Sequence, residues 1–533
     1  MAIRNHIYQA SSSFDPIQLE VFKHLFSAIP EEMGAVLRKS SLSPNIKERR
    51  DYSCALFDAQ GAMISQAAHI PVHLGSMPMS VKSALDSFQS SLEPGDVIIL
   101  NDPFRGGTHL PDITLVNPVF VDKTLIGFVA NRAHHADVGG ITPGSMPIAR
   151  EIFQEGLIIP PIKLFSAGNL CQAVLDLILA NVRTPEERSG DLWAQIAANQ
   201  RGASRLQELI QHYGIDEVGG YMDKLLAYSE RLTRNLLERI PDGSYKFSDI
   251  LDDDGITAQP VLIQVSITIT GDHAIVDFTG SAPQQAGSLN AVYAITLSAV
   301  YYVFRCLIGL DAPNNSGCLA PIQVITSPGS IVNATHPAPV AGGNVETSQR
   351  IVDVLLGALA QAVPDRIPAA SQGTMNNLTI GGWDVENNRP YAYYETIGGG
   401  MGARPTSDGP SAMHSHMTNT LNTPIEALEY AYPLRILCYE IRQGSGGEGR
   451  YRGGDGIRRD IQVLGDAQVT LLTERRTNQP YGMNGGHPGT SGENYLVVQG
   501  IEKPLPGKGS FLIKAGDVIS IRTPGGGGYG KPE

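Results

Sequence analysis

The chain has 533 residues, with a hydrophobic share of 42% and a charged share of 17%, which are the values of an ordinary globular protein and exclude a largely disordered chain. Its length allows roughly two to four core-forming units. The formal net charge of −13 argues against nucleic acid or an anionic membrane as a partner, because both select a basic protein face.

Neither a membrane span nor an export signal is expected from the sequence. It contains no run of about 18 or more uncharged apolar residues, and residues Met1–Phe14 are polar and lack the apolar core of a signal peptide. The cysteines are scattered, odd in number and without a C-x-x-C pair, which indicates reduced, mostly buried thiols in a cytoplasmic protein. They are Cys54, Cys171, Cys306, Cys318 and Cys438.

The first predicted elements are a helix and a hairpin. Apolar residues at helical spacing predict an amphipathic helix from Pro16 to about Arg38, which Pro30 should kink or divide. Its apolar face is predicted to contain Ile17, Val21, Leu25, Ile29 and Met33. Two short strands, Tyr52–Phe57 and Ala62–Gln66, flank the turn signal DAQG and predict a hairpin.

Two buried strands and two helices follow. Short apolar, β-branched runs at Asp96–Asn101 and Thr124–Asn131 predict strands buried on both faces. Helical periodicity predicts a helix over Asp191–Tyr213 and another over about Tyr221–Arg239. The inward face of the first is predicted to contain Trp193, Ile196, Leu206, Leu209 and Ile210.

Beyond residue 240 the pattern changes. A hairpin is predicted over Ile263–Ile269 and Ala274–Phe278, and helices are predicted over Ser298–Ile308 and Ser348–Leu359. After about Gly444 the chain is rich in glycine with short strands. We therefore predict an α+β protein of mixed sheets and helices with a β-rich C-terminal module. The predicted parts are a polar extension (1–14), an α/β part with the candidate site (15–240), a central mixed part (241–443) and the β-rich module (444–533).

Residues that could carry chemistry are densest in two loops that leave predicted buried strands. The segment NDPFRGGTHLPD contains His109 and Asp112, and NRAHHADVGG contains His134, His135 and Asp137. Rigid strands hold such loops in place, so strand ends are a common location for functional groups. Upstream are three further candidates, Asp51, His69 and His73.

Imidazoles together with carboxylates are a donor set that suits Zn²⁺, Mn²⁺ or Fe²⁺. Because adjacent residues on a strand point to opposite faces, only one of His134 and His135 should join a given site. Spacing alone leaves open the simpler alternative, in which His109 and Asp112 form a hydrogen-bonded pair without a metal. The spacing is less specific than an H-E-x-x-H motif.

Other segments give weaker signals. The H-x-H pair His414 and His416 is more typical of structural histidines. Glu346, with Asn344 and Arg350, begins a predicted helix, where it could cap backbone amides or bind substrate. The C-terminal TPGGGGYG lacks the Lys-Ser/Thr of a P-loop, and we expect a flexible or tightly turned tail there. No sequence feature supports an ATP site in this chain.

Long blocks of the sequence resemble the hydantoinase B/5-oxoprolinase family, from about Asp15 to Gly530. Among them are AAHIPVHLGSMP, GDVIILNDPFRGGTHLPDITLVNPVF, FVANRAHHADVGGITPGSMP and GGNVETSQRI. The family includes the B-type subunits of N-methylhydantoinase and caprolactamase, half of single-chain 5-oxoprolinase, and a subunit of acetone carboxylase. The resemblance implies a hetero-oligomer in which a hydantoinase A-type ATPase subunit holds ATP and phosphorylates a small cyclic amide, whereas this chain carries a divalent metal.

The resemblance also implies roles for individual residues. The family's metal ligands match Asp51, His109, Asp112 and His134, which selects His134 over His135. His135 and Asp137 then become neighbours that could orient water or accept a proton. Arg105 and Arg132 flank the ligand loops and are therefore candidates for phosphate contact, with surface or salt-bridge roles as the alternative. Hydrolysis of 5-oxoproline or a hydantoin is the expected activity. An acetone-carboxylase-type role and a non-catalytic scaffold are the alternatives.

Overall fold

The computed structural model describes residues 15–67, 69–309 and 311–532, so the predicted polar extension at residues 1–14 lies outside the described residues. The first elements in chain order are α1 (Pro16–Ser40), α2 (Pro44–Lys47), β1 (Tyr52–Asp58), β2 (Met63–Gln66), α3 (Ser76–Phe88), β3 (Val97–Leu100), β4 (Asp112–Val121), β5 (Thr124–His134), β6 (Ile162–Ser166), β7 (Asn169–Leu170), α4 (Gln172–Ala180), α5 (Pro185–Tyr213) and α6 (Ile215–Leu237). Short 3₁₀ turns lie at Pro71–His73, Pro103–Arg105 and Ile152–Gln154.

The remaining chain adds more strands than helices. In order, its elements are β8 (Gly243–Leu251), β9 (Val261–Thr270), β10 (His273–Asp277), α7 (Tyr293–Ile308), β11 (Ile322–Ile325), α8 (Ser348–Leu359), β12 (Asn377–Asp384), β13 (Arg389–Glu395), α9 (Ile425–Ala431), β14 (Leu434–Arg442), β15 (Gly456–Val463), β16 (Ala467–Leu472), β17 (Glu493–Val498), β18 (Ile501–Leu505), β19 (Lys508–Ile513) and β20 (Val518–Arg522). Two further 3₁₀ turns are Ser316–Leu319 and Pro364–Arg366, and a π-helical turn, Gly343–Thr347, leads directly into α8. The mixture of helices and four sheets confirms the predicted α+β class.

A seven-stranded sheet in the order β2-β1-β5-β4-β3-β6-β7 holds the two predicted loops. Its neighbouring strands pair antiparallel, and both faces of its centre are covered. Side chains such as Cys54 and Val129 pack against α1, α5 and α6, whereas their neighbours Ala55 and Phe128 pack on the opposite face with α3. This alternation follows from the period of two along a strand, and it explains why the strand sequences are apolar throughout.

Three details of the helices differ from the prediction. Helix α1 buries Leu19, Phe22, Phe26, Ile29, Met33 and Leu37. Ile17 and Val21, predicted to face inward, are exposed, since α1 turns Phe22 and Phe26 toward the core instead. Pro30 lies within one continuous helix and does not divide it. In α5, Trp193 is 45% exposed with its ring edge against Phe165, although the other predicted inward residues are buried.

The glycine-rich end of the chain is neither a flexible tail nor a phosphate loop. Gly525–Gly528 are buried, and the amides of Gly526 and Gly527 donate hydrogen bonds to carbonyl oxygens of distant segments. A Cβ added at Gly526 would lie 2.0 Å from the carbonyl oxygen of Met401, so only glycine allows this approach. The strands on either side of residue 444 share two sheets, β13-β12-β16-β19 and β14-β15-β20-β17-β18.

All five cysteines lie in the described part of the chain, and none is in a disulfide. Cys54 and Cys318 are buried, as predicted, whereas Cys306 is exposed. Burial raises the pKa of the Cys54 thiol, which keeps it protonated and unreactive. Among the described residues no helix is long and apolar enough to cross a membrane.

Candidate metal centre

The ligand-bearing loop leaves β3, passes through the 3₁₀ turn Pro103–Arg105 and returns as β4. Gly106 makes this path possible, because its φ of 93° is left-handed and an added Cβ would lie 2.5 Å from the Met79 backbone. Asn101 stabilises the loop by donating to the carbonyl oxygens of Leu110 and Leu157 at 2.8 and 2.9 Å. The loop therefore presents His109 and Asp112 from a fixed backbone.

Three side chains meet at the edge of the sheet. Asp112, the first residue of β4, is the register partner of His134, the last residue of β5. Asp112 Oδ1 lies 3.1 Å from His109 Nε2 and 3.2 Å from His134 Nδ1. The two imidazole nitrogens are 3.2 Å apart, and each of the three residues is at most 2% exposed. The three donor atoms thus form a nearly equilateral triangle.

This triangle has the dimensions of a coordination site. Bonds of about 2.0–2.2 Å from a divalent cation to nitrogen and oxygen place neighbouring donor atoms about 3–3.5 Å apart. Among the His, Cys, Asp and Glu side chains of the described residues, this trio forms a group whose donor atoms lie close enough together to hold a metal ion. Two nitrogen donors and one carboxylate suit Zn²⁺, Mn²⁺ or Fe²⁺.

The second carboxylate oxygen of Asp112, Oδ2, contacts two residues outside the trio. Asp112 Oδ2 accepts a hydrogen bond from the Thr108 hydroxyl at 2.6 Å and lies 3.3 Å from His73 Nε2. His73 Nδ1 is in turn 2.8 Å from the Ser53 hydroxyl. Burial opposes ionisation of Asp112, but the charge of His109 and hydrogen bonds from the surrounding imidazoles outweigh it and hold the pKa of Asp112 well below its usual range. Asp112 is therefore a carboxylate with Oδ1 directed at the imidazoles.

The backbone fixes the orientation of the His109 ring. Its Nδ1 is 3.4 Å from the Ala341 carbonyl oxygen, and its Nε2 faces Asp112 and His134. In the tautomer whose Nδ1–H donates to Ala341, Nε2 presents its lone pair to a cation. The amides of Val340 and Ala341 donate to Glu155 Oε1 at 2.9 and 3.0 Å. Burial raises the pKa of Glu155 to about 8.

His134 is fixed by stacking. Its ring lies parallel to Tyr394, with centroids 4.3 Å apart and an angle of 15° between the planes. Tyr394 donates its hydroxyl to Asn377 at 2.9 Å, and Asn45 donates to the His134 carbonyl oxygen at 2.6 Å. Burial lowers the pKa of His134, which favours the neutral imidazole that binds metals.

Asp51 lies beside this trio and not within it. Its backbone carbonyl accepts a hydrogen bond from the His134 amide at 3.0 Å, and its side chain lines the same cavity. Burial raises the pKa of Asp51, although His134 and Arg49 oppose the shift. The cavity measures about 20 Å³, which is room for about one water molecule. It is lined by Asp51, Ile70, Val72, His73, Asp112, His134, Asn344, Val345, Met375, Tyr394, Thr396, Met417, Thr418 and Thr420.

Comparison with known proteins identifies the family. The hydantoinase B/oxoprolinase family pattern matches residues 15–532. The chain belongs to this family. It is 41% identical to 5-oxoprolinase 1 of Arabidopsis thaliana over 98% of its own length, but it spans only 42% of that protein. It is 33% identical to a Pseudomonas sp. protein named as the B-type subunit of a D-/L-hydantoinase, covering 99% of this chain and 92% of that one.

Two solved structures share the fold. The ATP-dependent caprolactamase from Pseudomonas jessenii matches with a TM-score of 0.91 and 31% identity, over 98% of this chain and 92% of that one. Acetone carboxylase matches with a TM-score of 0.90 over 97% of this chain and 76% of that one. At 19% identity the second match shows the fold alone.

Two predicted site residues of this hydantoinase B family member lie away from the trio. His135 is on the opposite face of the sheet, where its Nε2 is 2.9 Å from Gln195 Oε1 of α5. Burial, followed by the charge of Arg188, lowers the pKa of His135 to about 4. Asp137 accepts hydrogen bonds from the Arg183 guanidinium at 2.9 Å and from the Gly139 and Gly144 amides. These contacts close the loop that follows β5.

The predicted substrate-binding residues also lie outside the cavity lining. Arg105 is exposed and donates to the Ser87 hydroxyl at 3.0 Å. Arg132 is fully buried and donates to the hydroxyls of Thr114, Ser76 and Ser80 and to the Gly106 carbonyl. Glu346 is buried, and its Oε1 accepts hydrogen bonds from Asn377 and from the amide of Met375, which lines the cavity. Burial raises the pKa of Glu346 to about 7.

The weaker sequence candidates have separate environments. The His69 ring packs edge-on against Tyr52, and His416 Nδ1 lies 3.4 Å from the Tyr302 hydroxyl. His414 is half-buried, and desolvation lowers its pKa to about 4. Arg350 is buried among the carboxylates of Asp249, Asp353 and Glu474.

Sequence reasoning did not assign roles to several residues that surround the trio. His73 was a candidate only by its type, whereas Thr108, Asn344 and Tyr394 were not connected with the metal at all. Thr108 and His73 contact Asp112, Tyr394 stacks on His134, and Asn344 contacts His109. The only sequence signal for Asn344 was the polar block GGNVETSQR. Its resemblance to the family singled out this segment but did not indicate that Asn344 lies at the metal centre.

Proposed function

We propose that this chain is the metal-bearing subunit of an ATP-dependent enzyme that opens a cyclic amide such as 5-oxoproline or a hydantoin. The buried triangle of His109, Asp112 and His134 is the observation that carries the proposal, because its spacing suits one divalent cation. The relatives named as 5-oxoprolinase, B-type hydantoinase subunit and caprolactamase support the substrate class.

In this proposal, a partner ATPase subunit of the hydantoinase A type activates the substrate by phosphorylating its amide oxygen. The subunit name of one relative and the ATP dependence of caprolactamase support this division of labour. The match covers 42% of the length of 5-oxoprolinase 1, so the rest of that longer protein is large enough to contain an ATPase unit. We place both subunits in the cytoplasm.

The residues around the cavity have distinct roles in this proposal. His109, Asp112 and His134 hold the cation, which supplies Lewis-acid polarisation of an oxygen atom when it is bound. Thr108 and His73 keep Asp112 Oδ1 directed at the imidazoles. Asp51 faces the same water-sized cavity, so we assign to its carboxylate the orientation of the attacking water and acceptance of its proton. Direct coordination of the metal by Asp51, which the family resemblance implies, remains a prediction.

Reconstitution tests the proposal. The purified chain, the partner subunit and their mixture are supplied with ATP and with 5-oxoproline, a hydantoin, a lactam, or acetone plus bicarbonate. We expect ATP consumption and ring opening only in the mixture. Robust ATP hydrolysis by this chain alone would refute the division of labour. Activity only with acetone plus bicarbonate would show a carboxylase instead, the use to which acetone carboxylase puts the same fold.

A further inference from the structure

The side chain of Asn344 reaches the metal centre from a distant part of the chain. It belongs to the π-helical turn Gly343–Thr347, is 4% exposed and lines the cavity. Its Nδ2 lies 3.1 Å from His109 Nε2, and its Oδ1 is buried without a hydrogen-bond partner among the described residues. An unpaired buried amide oxygen is destabilising, so this position calls for a physical reason.

The amide group can face His109 in either of two ways. Its oxygen and nitrogen have nearly the same shape and exchange places by a half-turn of the side-chain amide. In the tautomer whose Nδ1–H donates to Ala341, His109 Nε2 carries a lone pair. If Asn344 Oδ1 is turned to His109, two acceptor atoms face each other at the 3.1 Å separation of this contact. A cation between them converts that repulsion into attraction.

We infer that Asn344 is a protein ligand of the divalent metal in addition to the trio, through Oδ1. The inference rests on the metal centre of the proposed function. The Asn344–His109 separation of 3.1 Å equals the His109–Asp112 separation and is within 0.1 Å of the other two edges, both 3.2 Å. The amide group is therefore as far from His109 as the donors of the trio are from one another, and it lines the same cavity. Two imidazoles, a carboxylate and an amide oxygen favour a cation that accepts nitrogen and oxygen donors together, such as Mn²⁺.

The turn that carries Asn344 is built to hold it still. The Asn344 carbonyl oxygen accepts a hydrogen bond from the Ser348 hydroxyl at 2.7 Å. A Cβ added at Gly343 would lie 1.9 Å from the Asn290 carbonyl oxygen, so the turn packs directly on that backbone. Single π-helical turns are rare in proteins, and those that occur often lie at functional sites. Here the wider turn brings Asn344 to the cavity while Glu346 is anchored by Met375 and Asn377.

The test compares metal binding by the full chain and by three variants. Asn344→Leu removes the oxygen donor at similar volume, Asn344→Asp keeps an oxygen donor and adds charge, and Val345→Ala is the matched control, because Val345 lines the same cavity from the same turn without a donor atom. Affinities for Zn²⁺ and Mn²⁺ are measured by chelator competition. The visible absorption of the Co²⁺ form reports the coordination number independently.

We expect Asn344→Leu to weaken metal binding by about 10–100-fold and to change the Co²⁺ spectrum. Asn344→Asp should bind the metal more tightly than wild type and also change the Co²⁺ spectrum, whereas Val345→Ala should behave like wild type. A folded Asn344→Leu protein with wild-type affinity and spectrum would overturn the inference. If that variant does not fold, unchanged affinity and spectrum in Asn344→Asp would overturn it. Absence of metal binding by the wild type would instead refute the metal centre of the proposed function.

Discussion

Asp112 and His134 face each other across the β4–β5 ladder, with Oδ1 3.2 Å from Nδ1 at the end of β5 and the start of β4. Directly opposed residues on one face of an antiparallel pair have closely spaced Cβ atoms. The pairing register of the sheet therefore sets the distance between these two groups, and the adjoining loop adds His109. A site built in this way needs little rearrangement when a cation binds.

The trio should be necessary for metal retention. We expect His109→Ala, His134→Ala and Asp112→Asn to lose the metal, because each removes one corner of the triangle. Elemental analysis of the purified proteins measures this. His135→Ala is the matched control, because it removes the adjacent imidazole from the opposite face of the sheet and should leave the metal content unchanged. Equal metal in all four proteins would contradict the assignment.

The groups behind Asp112 should tune affinity without being ligands. Thr108→Val and His73→Phe each remove a contact to Asp112 Oδ2 and leave Oδ1 free to rotate away from the imidazoles. We expect each to weaken metal binding by about 10–100-fold while saturating metal restores full occupancy. Chelator competition distinguishes this from ligand loss. Unchanged affinity in both variants would show that Asp112 needs no such support.

The two arginines beside the ligand loop should differ in effect. Arg132→Met removes the guanidinium that donates hydrogen bonds to the buried hydroxyls of Ser76, Ser80 and Thr114. We expect the free energy of unfolding to fall by about 1–3 kcal/mol for each hydroxyl left unsatisfied. Arg105→Ala affects an exposed contact to Ser87 and should leave both stability and metal affinity unchanged. Urea unfolding and chelator competition provide the two measurements. Equal stability of both variants would contradict a structural role for Arg132.

Glu346 should make stability depend on pH. Burial raises its pKa from 4.5 to about 7, so the folded protein binds this proton more tightly than the unfolded chain does. The corresponding stability is complete below the unfolded pKa and is lost as the pH rises through about 7, up to about 3 kcal/mol. Glu346→Gln keeps an oxygen acceptor for Met375 and Asn377 and removes the titration.

The comparison is made by urea unfolding of the metal-free proteins at pH 5 and pH 8. Other titrating groups, including Glu155, contribute equally to both proteins and cancel in the difference. We expect Glu346→Gln to be more stable relative to wild type at pH 8 than at pH 5. A difference between the two proteins that is the same at both pH values would show that Glu346 does not titrate on folding.

Local patterns predicted much of this fold, and long-range packing accounts for the errors. The alternation of side chains along β5 separates His134 from His135, and the structure has them on opposite faces of the sheet. Helix periodicity predicted α1 and the burial of Ile29 and Met33, but Ile17 and Val21 near its start are exposed, because Phe22 and Phe26 face the core there instead. The period alone does not say which of two apolar stripes the sheet covers.

The surroundings of the trio depended on contacts that no local pattern encodes. Asn344 lies 235 residues from His109 along the chain, and the contact requires a π-helical turn packed on the backbone of residues 288–291. Tyr394 reaches His134 from a different sheet. Arg105 and Arg132 were predicted from their closeness in sequence to the ligands, yet one is exposed and the other is occupied by hydroxyl groups within the core.

An anomalous-difference map from crystals of the metal-loaded protein, collected at the absorption edge of the metal, tests the central claim most directly. We expect one peak bonded at about 2.0–2.2 Å to His109 Nε2, Asp112 Oδ1 and His134 Nδ1. A fully loaded protein whose peak lies elsewhere, or whose three side chains bind no ion, would contradict the assignment of this cavity as the metal centre.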